Sequence, residues 1–192
     1  MYDEVVNLVW PGLQYLSSYV DALRRGWSPD NLRPEAGLEH LARIESDPAK
    51  FVGELVDRDA KGPPIRLPDQ STVPRLPGYA LWMWDGEFCG AIGFRWQPGT
   101  TALPPHCLGH IGYSVVPWKR RRGYATRALQ LMLAYAREEG LEYVELTTVA
   151  DNLVSQRVIT SNGGVLVERF RTSNAHGGAE SLRFRIPLNV PA

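Results

Sequence analysis

The stretch WKRRRGYATRALQLML, residues 118 to 133, places four consecutive basic side chains directly before Gly123 and a patterned apolar run. The apolar residues of this run recur at helical spacing, so we expect a helix that begins near Gly123. The preceding residues HIGYSVV (110 to 116) have the composition of a strand, which would end at Pro117. The sequence therefore predicts a strand, a basic turn and a helix in succession.

This succession is suited to holding an anion such as pyrophosphate. The first N–H groups of a helix lack intrahelical partners, and the helix dipole adds partial positive charge there. Gly123 would let the backbone approach a ligand, and arginine adds charge with bidentate geometry. The patterns GxxxxGK[ST] and GxGxxG are missing, which disfavours ATP and dinucleotides. The alternative for residues 119 to 122 is a solvated charge run or a small nucleic-acid patch.

Composition narrows the class of protein. A chain of 192 residues with 44% hydrophobic residues fits one domain with its own core. Its 21 basic residues equal its 21 acidic ones, so we expect no general attraction to nucleic acid or to an acidic membrane. Because the N-terminus is acidic and no apolar run approaches the ~20 residues of a membrane span, we expect a cytoplasmic protein. The two cysteines, which lie far apart, are expected to be reduced and structural.

The first part of the chain reads as helical, over residues 11 to about 57. A helix follows Pro11, a second lies near Leu38, and Asp47 with the next proline opens a third. Residues 57 to 78 then contain five prolines and two glycines, which predicts an irregular loop that covers a site. We predict that all of these segments belong to a single domain over residues 1 to 192.

From Tyr79 onward the pattern is one of strands and helices in the order ββ, β, α, β, α, β, β. Asp85-Gly86 marks the turn of the first hairpin. The helix in DNLVSQRVITSN (151 to 162) follows a strand and ends at two glycines. This part of the chain therefore predicts an α/β (α+β) fold.

Four short stretches in this part resemble motifs of the GNAT superfamily of acyl-CoA-dependent N-acyltransferases. Residues 120 to 125, RRRGYA, match its (Gln/Arg)-x-x-Gly-x-(Gly/Ala) motif, and residues 115 to 117, VVP, match the strand end before it. Residues 151 to 155, DNLVS, resemble its second cofactor element, and the helix end at 162 to 164, NGG, also fits. The resemblance covers roughly residues 79 to 188.

The resemblance implies a mixed, mostly antiparallel central sheet flanked by helices, in which the fourth and fifth strands of the family fold splay apart. The pantetheine arm of acetyl-CoA, the co-substrate, would pair with strand backbone in the gap, and the N–H groups of 120 to 126 would hold the pyrophosphate. Asp151 or Asn152 should also cap the helix. The implied cofactor-binding residues are Val115, Val116, Arg120, Arg121, Arg122, Gly123, Tyr124, Ala125, Thr126, Asn152 and Ser155.

Two residues are candidates for the general base. His110 occupies a position where some family members carry a glutamate base, and an imidazole with a pKa near 6.5 could accept a proton from an attacking ammonium. Glu145, in the strand after the helix, is its rival. Each also has a structural alternative: His110 as a satisfied strand residue, and Glu145 in a salt bridge or at a solvent-facing edge.

The tyrosine acid that is frequent in the family would fall at Ile159, so Tyr113, Ser114 or water would have to replace it. The resemblance implies direct attack by an amine in a ternary complex, with strand N–H groups near Val115 stabilising the oxyanion. The acceptor stays open among a small amine, an amino acid, an antibiotic and a protein N-terminus.

A catalytically impaired CoA-binding sensor is the alternative function, and a nucleic-acid binder is disfavoured by the neutral net charge. Residues 180 to 188 could pair across a homodimer. His40, His106 and His176 show no metal-ligand spacing, so we predict no metal.

Overall fold

The structure is a computed structural model that describes residues 6–31, 33–66, 71–173 and 178–188. The strands are β1 (Asn7–Val9), β2 (Val56–Asp57), β3 (Ile65–Arg66), β4 (Thr72–Val73), β5 (Gly78–Trp84), β6 (Phe88–Arg95), β7 (Ile111–Val115), β8 (Tyr143–Val149), β9 (Val165–Arg171) and β10 (Glu180–Pro187). The helices are α1 (Leu13–Arg24), α2 (Ala36–Ser46), α3 (Pro48–Glu54), α4 (Tyr124–Glu138) and α5 (Leu153–Thr160). The order predicted from Tyr79 onward is confirmed.

The strands form two main antiparallel sheets. The first has the order β1-β5-β6-β7, with β2 also paired to β5, and the second has the order β8-β10-β9. β3 and β4 make a separate small hairpin. The sheet predicted from the resemblance is therefore present, but it is divided between β7 and β8.

Helices cover both faces of the first sheet. On one face, α4 packs its apolar stripe against β6 and β7 and joins a core that also includes α5 and the inner face of β8 and β10. On the other face, α1, α2 and α3 enclose a second core around Tyr19, Phe51 and Trp82, whose first and last rings stack at 4.6 Å. The helical first part is thus built onto the sheet as a layer of its own.

α3 starts as the sequence predicted, with Asp47 as its cap and a proline directly after it. The Asp47 side chain accepts a hydrogen bond from the Lys50 N–H at 2.9 Å, and Pro48 is the first helical residue. A proline costs nothing there because its missing N–H would have no intrahelical partner.

The proline-rich loop starts at the end of α4 that is remote from the basic turn. The guanidinium of Arg58 pairs with Glu139 at 2.6 Å, which fixes the start of the loop at the C-terminal end of α4. The basic turn lies at the other end of this 15-residue helix, about 22 Å away. That residues 57 to 78 cover a site stays a prediction, and residues 67–70 lie outside the described ranges.

The end of α5 requires a glycine. A Cβ on Gly164 would lie 2.8 Å from the carbonyl oxygen of Ile159 and would also collide with the Ile159 side chain, which is fully buried. Gly164 therefore lets the chain leave the helix tightly against the core.

Substitution of Gly164 by alanine should destabilise the protein by about 1–3 kcal/mol, since the overpacked helix end must shift. Gly53→Ala, in α3, is the matched control because an added Cβ there meets nothing within 4 Å. Urea unfolding of both variants measures the difference. Equal stability of the two variants would show that the helix end relaxes without cost.

Candidate active site

The main feature of the site is the space between β7 and β8, which we call the β7–β8 cleft. These strands are the inner edges of the two sheets and share no ladder within the described residues. They are joined at one end, where the N–H of His110 donates to the carbonyl of Glu145 at 2.7 Å. From this junction both strands run outward, and each is followed at its far end by the start of a helix.

The backbone of β7 offers hydrogen-bonding groups to the cleft. Residues of an antiparallel ladder point their N–H and C=O groups alternately to the partner and away from it. The N–H of Val116 donates to the carbonyl of Cys89, in β6, at 2.9 Å. By alternation, Tyr113 and Val115 direct their backbone groups into the cleft.

Val115 therefore has the placement that the sequence predicted, and Val116 does not. The N–H of Val116 is used on the β6 side, its carbonyl accepts from the N–H of Lys119 at 3.0 Å, and its side chain is fully buried. The prediction that Val116 offers backbone to a ligand is corrected accordingly.

The opposite wall of the cleft is β8. The N–H of Ala150 donates to the carbonyl of Glu180 at 2.9 Å, which fixes the side of β8 that pairs with β10. The same alternation directs the backbone groups of Thr147 and Val149 into the cleft. Two rows of backbone groups thus face each other across it.

The basic turn closes the far end of the cleft. A short 3-10 helix, Pro117–Lys119, is followed by left-handed backbone at Arg121 (φ 63°) and at Gly123 (φ 77°). Such changes of backbone hand turn successive N–H groups toward a common concavity that suits an anion. A Cβ at Gly123 would meet no atom within 4 Å, so there is room for a ligand here.

The start of α4 adds further donors to this turn. The first intrahelical bond runs from the N–H of Arg127 to the carbonyl of Gly123 at 3.0 Å. The N–H groups of residues 124 to 126 precede it and have no intrahelical acceptor. Together with the dipole of α4, they make the helix N-terminus favourable for a phosphate group.

The basic side chains of the turn have two different environments. Arg120, Arg121 and Arg122 are exposed, and the guanidinium of Arg120 reaches back to donate to the carbonyl of Val115 at 3.2 Å. These three side chains can therefore supply positive charge at the mouth of the cleft.

Lys119, in contrast, is buried and serves the structure. Its ammonium group lies 2.6 Å from the Asp85 carboxylate and 2.7 Å from that of Glu87, both at the β5–β6 hairpin. Burial would raise the pKa of Asp85, but hydrogen bonds from Lys119 and Tyr124 outweigh it and lower the pKa to about 2. The first residue of the basic run thus fastens the turn to the hairpin.

The side chains of the next three predicted residues, Tyr124, Ala125 and Thr126, are buried or half-buried, so their backbone N–H groups are what they can offer to a ligand. The Tyr124 side chain is buried and its hydroxyl donates to Asp85 at 2.6 Å. Ala125 and Thr126 are half-buried, and the carbonyl of Thr126 accepts from the amide of Asn162 at 3.2 Å. The amide of Asn162 therefore ties the end of α5 to the start of α4.

The start of α5 also lies at the cleft. Asn152 is the helix cap, because its side-chain oxygen accepts from the N–H of Ser155 at 3.0 Å. The Ser155 hydroxyl lies 2.9 Å from the hydroxyl of Tyr113, which extends from β7. The predicted cap is confirmed, and the contact brings Ser155 together with a strand of the cleft.

Comparison with known families agrees with this geometry. The family model described as the acetyltransferase (GNAT) family matches residues 39–163, which is more than half of the chain. The chain belongs to the GNAT acetyltransferase family. Family membership confirms the predicted enzyme class, an acetyl-CoA-dependent acyltransferase, and its co-substrate. Comparison with curated proteins gives no match.

Solved structures confirm the fold class. The microcin C7 self-immunity acetyltransferase MccE, in complex with acetyl-CoA and AMP, has a TM-score of 0.61 and 13% identity over 95% of this chain and 92% of that chain. RimL, a ribosomal L7/L12 alpha-N-protein acetyltransferase in complex with coenzyme A, has a TM-score of 0.60 and 14% identity over 95% and 93%. The putative acetyltransferase yncA from Salmonella typhimurium, with acetyl-CoA, has a TM-score of 0.53 and 14% identity over 98% and 95%.

His110, one predicted base of this acetyltransferase, is fully buried at the junction of the cleft. Its Nδ1 accepts from the N–H of Glu145 at 2.9 Å, and its Nε2 lies 3.0 Å from the carbonyl oxygen of Thr101. Burial lowers the pKa of His110. With both ring nitrogens engaged, these contacts favour a structural role, and catalysis by His110 stays a prediction.

Glu145, the second predicted base, is held by two arginines of β10. Its carboxylate lies 2.7 Å from Arg185 and 3.1 Å from Arg183. Burial would raise the pKa of Glu145, but the two guanidinium groups outweigh it and lower the pKa. The predicted salt bridge is present, and catalysis by Glu145 also stays a prediction.

The candidates for the acid differ in their surroundings. Ile159 is fully buried in the core and offers no proton. The Ser114 hydroxyl accepts from the indole N–H of Trp27 at 3.1 Å on the face that carries α1. Tyr113 reaches α5 instead, and burial raises the pKa of its phenol, so it is protonated at neutral pH. Of the two predicted substitutes, only Tyr113 joins the Asn152 and Ser155 side of the cleft.

Two contacts were missed at the level of sequence. The amide of Asn31, between α1 and α2, donates to the carbonyl of Tyr113 at 3.2 Å, one of the groups that face the cleft. Trp27, four residues earlier, anchors the same connection to β7. Both residues lie more than 80 positions before the residues that they contact on β7, and no motif marks them.

The described ranges contain no group of three or more histidine, cysteine or acidic residues that could hold a metal ion. No helix within these ranges is both long enough and apolar enough to cross a membrane.

Removal of the charge on Asp85 should destabilise the enzyme. Asp85→Asn leaves the Lys119 ammonium buried with one carboxylate partner, and a broken buried ion pair costs about 3 kcal/mol or more. Glu87→Gln is the control, because Glu87 binds the same ammonium but is largely exposed, so its loss should cost under about 1 kcal/mol.

Urea unfolding at several pH values tests this expectation. Since the pKa of folded Asp85 is depressed to about 2, its contribution is present at neutral pH and is lost as the pH falls from about 4 toward 2. Because Asp85→Asn has no carboxylate to protonate, its free energy of unfolding should fall less than that of the wild type over this pH range. If both variants lost the same free energy of unfolding at neutral pH, the burial of Lys119 would not depend on its ion pair with Asp85.

Proposed function

We propose that this enzyme transfers an acetyl group from acetyl-CoA to a primary amine of a small molecule or a peptide, by direct attack in a ternary complex. The observation that carries the proposal is the β7–β8 cleft, where two neighbouring strands of the described chain share no ladder and a basic turn lies at the far end. Bound acetyl-CoA would supply a thioester whose carbonyl carbon can be attacked by an amine.

The turn from Arg120 to Thr126 fits the pyrophosphate of acetyl-CoA. It offers the N–H groups that precede the first bond of α4, and the left-handed residues aim them at open space. The side chains of Arg120, Arg121 and Arg122 would add charge, whereas Tyr124 would act through its N–H because its ring is buried.

The cleft fits the extended arm of the co-substrate. Tyr113 and Val115 on one wall, and Thr147 and Val149 on the other, provide peptide groups that a chain with amide bonds could pair with, as an added strand does. The amide of Asn152 and the hydroxyl of Ser155 lie where they can contact the same arm. An N–H near Val115 would donate to the oxygen of the reacting carbonyl.

The proton transfers require two groups. His110 or Glu145 would accept the proton of the amine, directly or through water, once one of its present bonds is exchanged. The Tyr113 phenol, held against Ser155, would protonate the leaving thiolate. Alignment of the amine with the thioester would supply much of the rate in any case.

An alternative is a CoA-binding sensor with impaired catalysis. Two observations favour it: Ile159 at the usual acid position is apolar and buried, and both candidate bases are held in structural contacts. We further propose a cytoplasmic location and a single domain over residues 1 to 192; a homodimer through residues 180 to 188 stays a prediction.

Thermal unfolding with acetyl-CoA, CoA and ATP tests the binding site. A ligand that binds only the folded state raises the unfolding temperature by mass action, so we expect a rise with the two CoA species and none with ATP. The double variant Arg121→Gln/Arg122→Gln should bind acetyl-CoA about 10-fold more weakly or worse, because charge-assisted bonds to phosphate are lost.

The matched control removes the same charge elsewhere. Arg169→Gln/Arg171→Gln changes two exposed arginines of β9 and should keep the affinity of the wild type. If neither CoA species stabilises the wild type, the proposed function is wrong. If acetyl-CoA binds but no amine of a broad panel is acetylated, the sensor is the better description.

A further inference from the structure

His110 bonds to both sheets at once. Its carbonyl accepts from the N–H of Arg95 on β6 at 2.9 Å, while its own N–H donates to the carbonyl of Glu145 on β8 at 2.7 Å. A strand residue inside one sheet uses both groups within that sheet. His110 is therefore the residue at which the first sheet meets the second.

The imidazole completes the pairing with β8. In a regular parallel ladder the N–H of Glu145 would donate to the carbonyl of Leu108, but here it donates to Nδ1 of His110 at 2.9 Å, and the Leu108 carbonyl accepts from Arg183 instead. A side chain thus takes the place of a peptide group and ends the pairing on this side. On the side of the cleft, the carbonyl of His110 is bonded to Arg95 of β6, so pairing with β8 stops there and the strands diverge.

The ring is fixed in the orientation that this bond needs. A carbonyl only accepts hydrogen bonds, so the 3.0 Å contact with Thr101 assigns the proton to Nε2 and leaves Nδ1 as the acceptor. The side chain is fully buried. A Cβ on Gly109 would lie 3.0 Å from the carbonyl oxygen of Glu145, so the chain before His110 also presses against β8.

We propose that His110 is a positioning residue: it sets the vertex of the β7–β8 cleft and thereby the distance between the two walls that would hold the acetyl-CoA arm. The inference rests on the proposed function for its ligand. Val115 lies five residues from the vertex, about 17 Å along an extended strand, so a small change at His110 is amplified where the ligand would lie.

This role differs from that of a general base. Proton transfer from an amine to Nδ1 would break the bond to Glu145, and transfer to Nε2 would break the contact with Thr101. In the positioning role, both bonds persist through the reaction and His110 is never charged. The two roles therefore predict different results for substitutions that keep one bond and remove the other.

Asparagine and glutamine separate the two ring nitrogens. In His110→Asn the side-chain oxygen can take the place of Nδ1 and accept from Glu145, whereas in His110→Gln the longer side chain places its amide near Nε2 and reaches Thr101 instead. Neither variant can act as a base. The affinity for acetyl-CoA, measured by calorimetry well below each unfolding temperature, is the readout that a base would not change.

We expect His110→Asn to bind acetyl-CoA within about 3-fold of the wild type and His110→Gln to bind about 10-fold more weakly or worse, since a buried N–H of β8 loses its acceptor. On any amine that proves to be a substrate, His110→Gln should show a higher KM for acetyl-CoA than His110→Asn. Loss of kcat by about 100-fold in both variants, with unchanged affinity, would overturn the positioning role in favour of a base. Wild-type affinity and turnover in both variants would overturn it as well.

Gly109→Ala provides an independent test if His110→Gln does not fold. The added Cβ presses on the Glu145 carbonyl and opens the vertex while the imidazole stays in place, so acetyl-CoA should bind more weakly. Gly93→Ala on β6 is the control, because its Cβ would make ordinary contacts of 3.9 Å or more. Equal acetyl-CoA affinity in the two glycine variants would contradict the proposal, whereas absence of binding by the wild type would instead overturn the proposed function.

Discussion

The division of the sheet depends on His110, whose single N–H and single carbonyl bond to two different sheets. His110 has one N–H and one carbonyl, and the structure uses the carbonyl for β6 and the N–H for β8. Each later residue of β7 pairs with β6 or faces the cleft, and none within the described chain pairs with β8. The backbone N–H groups that face the cleft need water or a ligand as acceptors, since buried peptide groups without partners are costly. The extended arm of acetyl-CoA is the partner that we propose for them.

A second constraint acts on the far end of the same cleft. Four adjacent basic side chains repel one another, which would favour a mobile turn if all four were solvated. Lys119 is instead buried in ion pairs with Asp85 and Glu87. This ion pair fastens the turn to the β5–β6 hairpin, so the left-handed residues that follow are held in one conformation. The buried ion pair would thereby preorganise the turn that we propose as an anion site, and the three exposed arginines place positive charge beside it.

The sequence predicted the parts of the fold that local chemistry determines. The helix start before α4, the Asn152 cap and the two glycines after α5 each follow from the geometry of a few neighbouring residues, and the order of strands and helices follows from periodicity. Three features could not be read in this way. The pairing of Lys119 with Asp85, the contact of Asn31 with Tyr113 and the place of the proline-rich loop at the far end of α4 join segments distant in sequence, and only the packed sheet decides them. The prediction for Val116 failed for a related reason. The sequence shows that backbone groups along a strand point alternately to its two sides, but which residues face which side depends on the partner strand.

The chemistry of the site follows from which groups are already occupied. If His110 and Glu145 keep their present bonds during the reaction, neither can take the proton of an ammonium ion, and the lowered pKa of Glu145 makes its carboxylate a poor base near neutral pH. The amine would then have to enter uncharged or lose its proton to water, so the rate would follow the ionisation of the acceptor rather than that of the enzyme. The protein would contribute mainly by holding the thioester between two fixed walls, and such alignment is worth about 7–11 kcal/mol in favourable cases. An enzyme of this kind would depend more on the rigidity of its cleft than on any one proton-transfer group, and the position of His110 at the vertex would then matter more than its basicity.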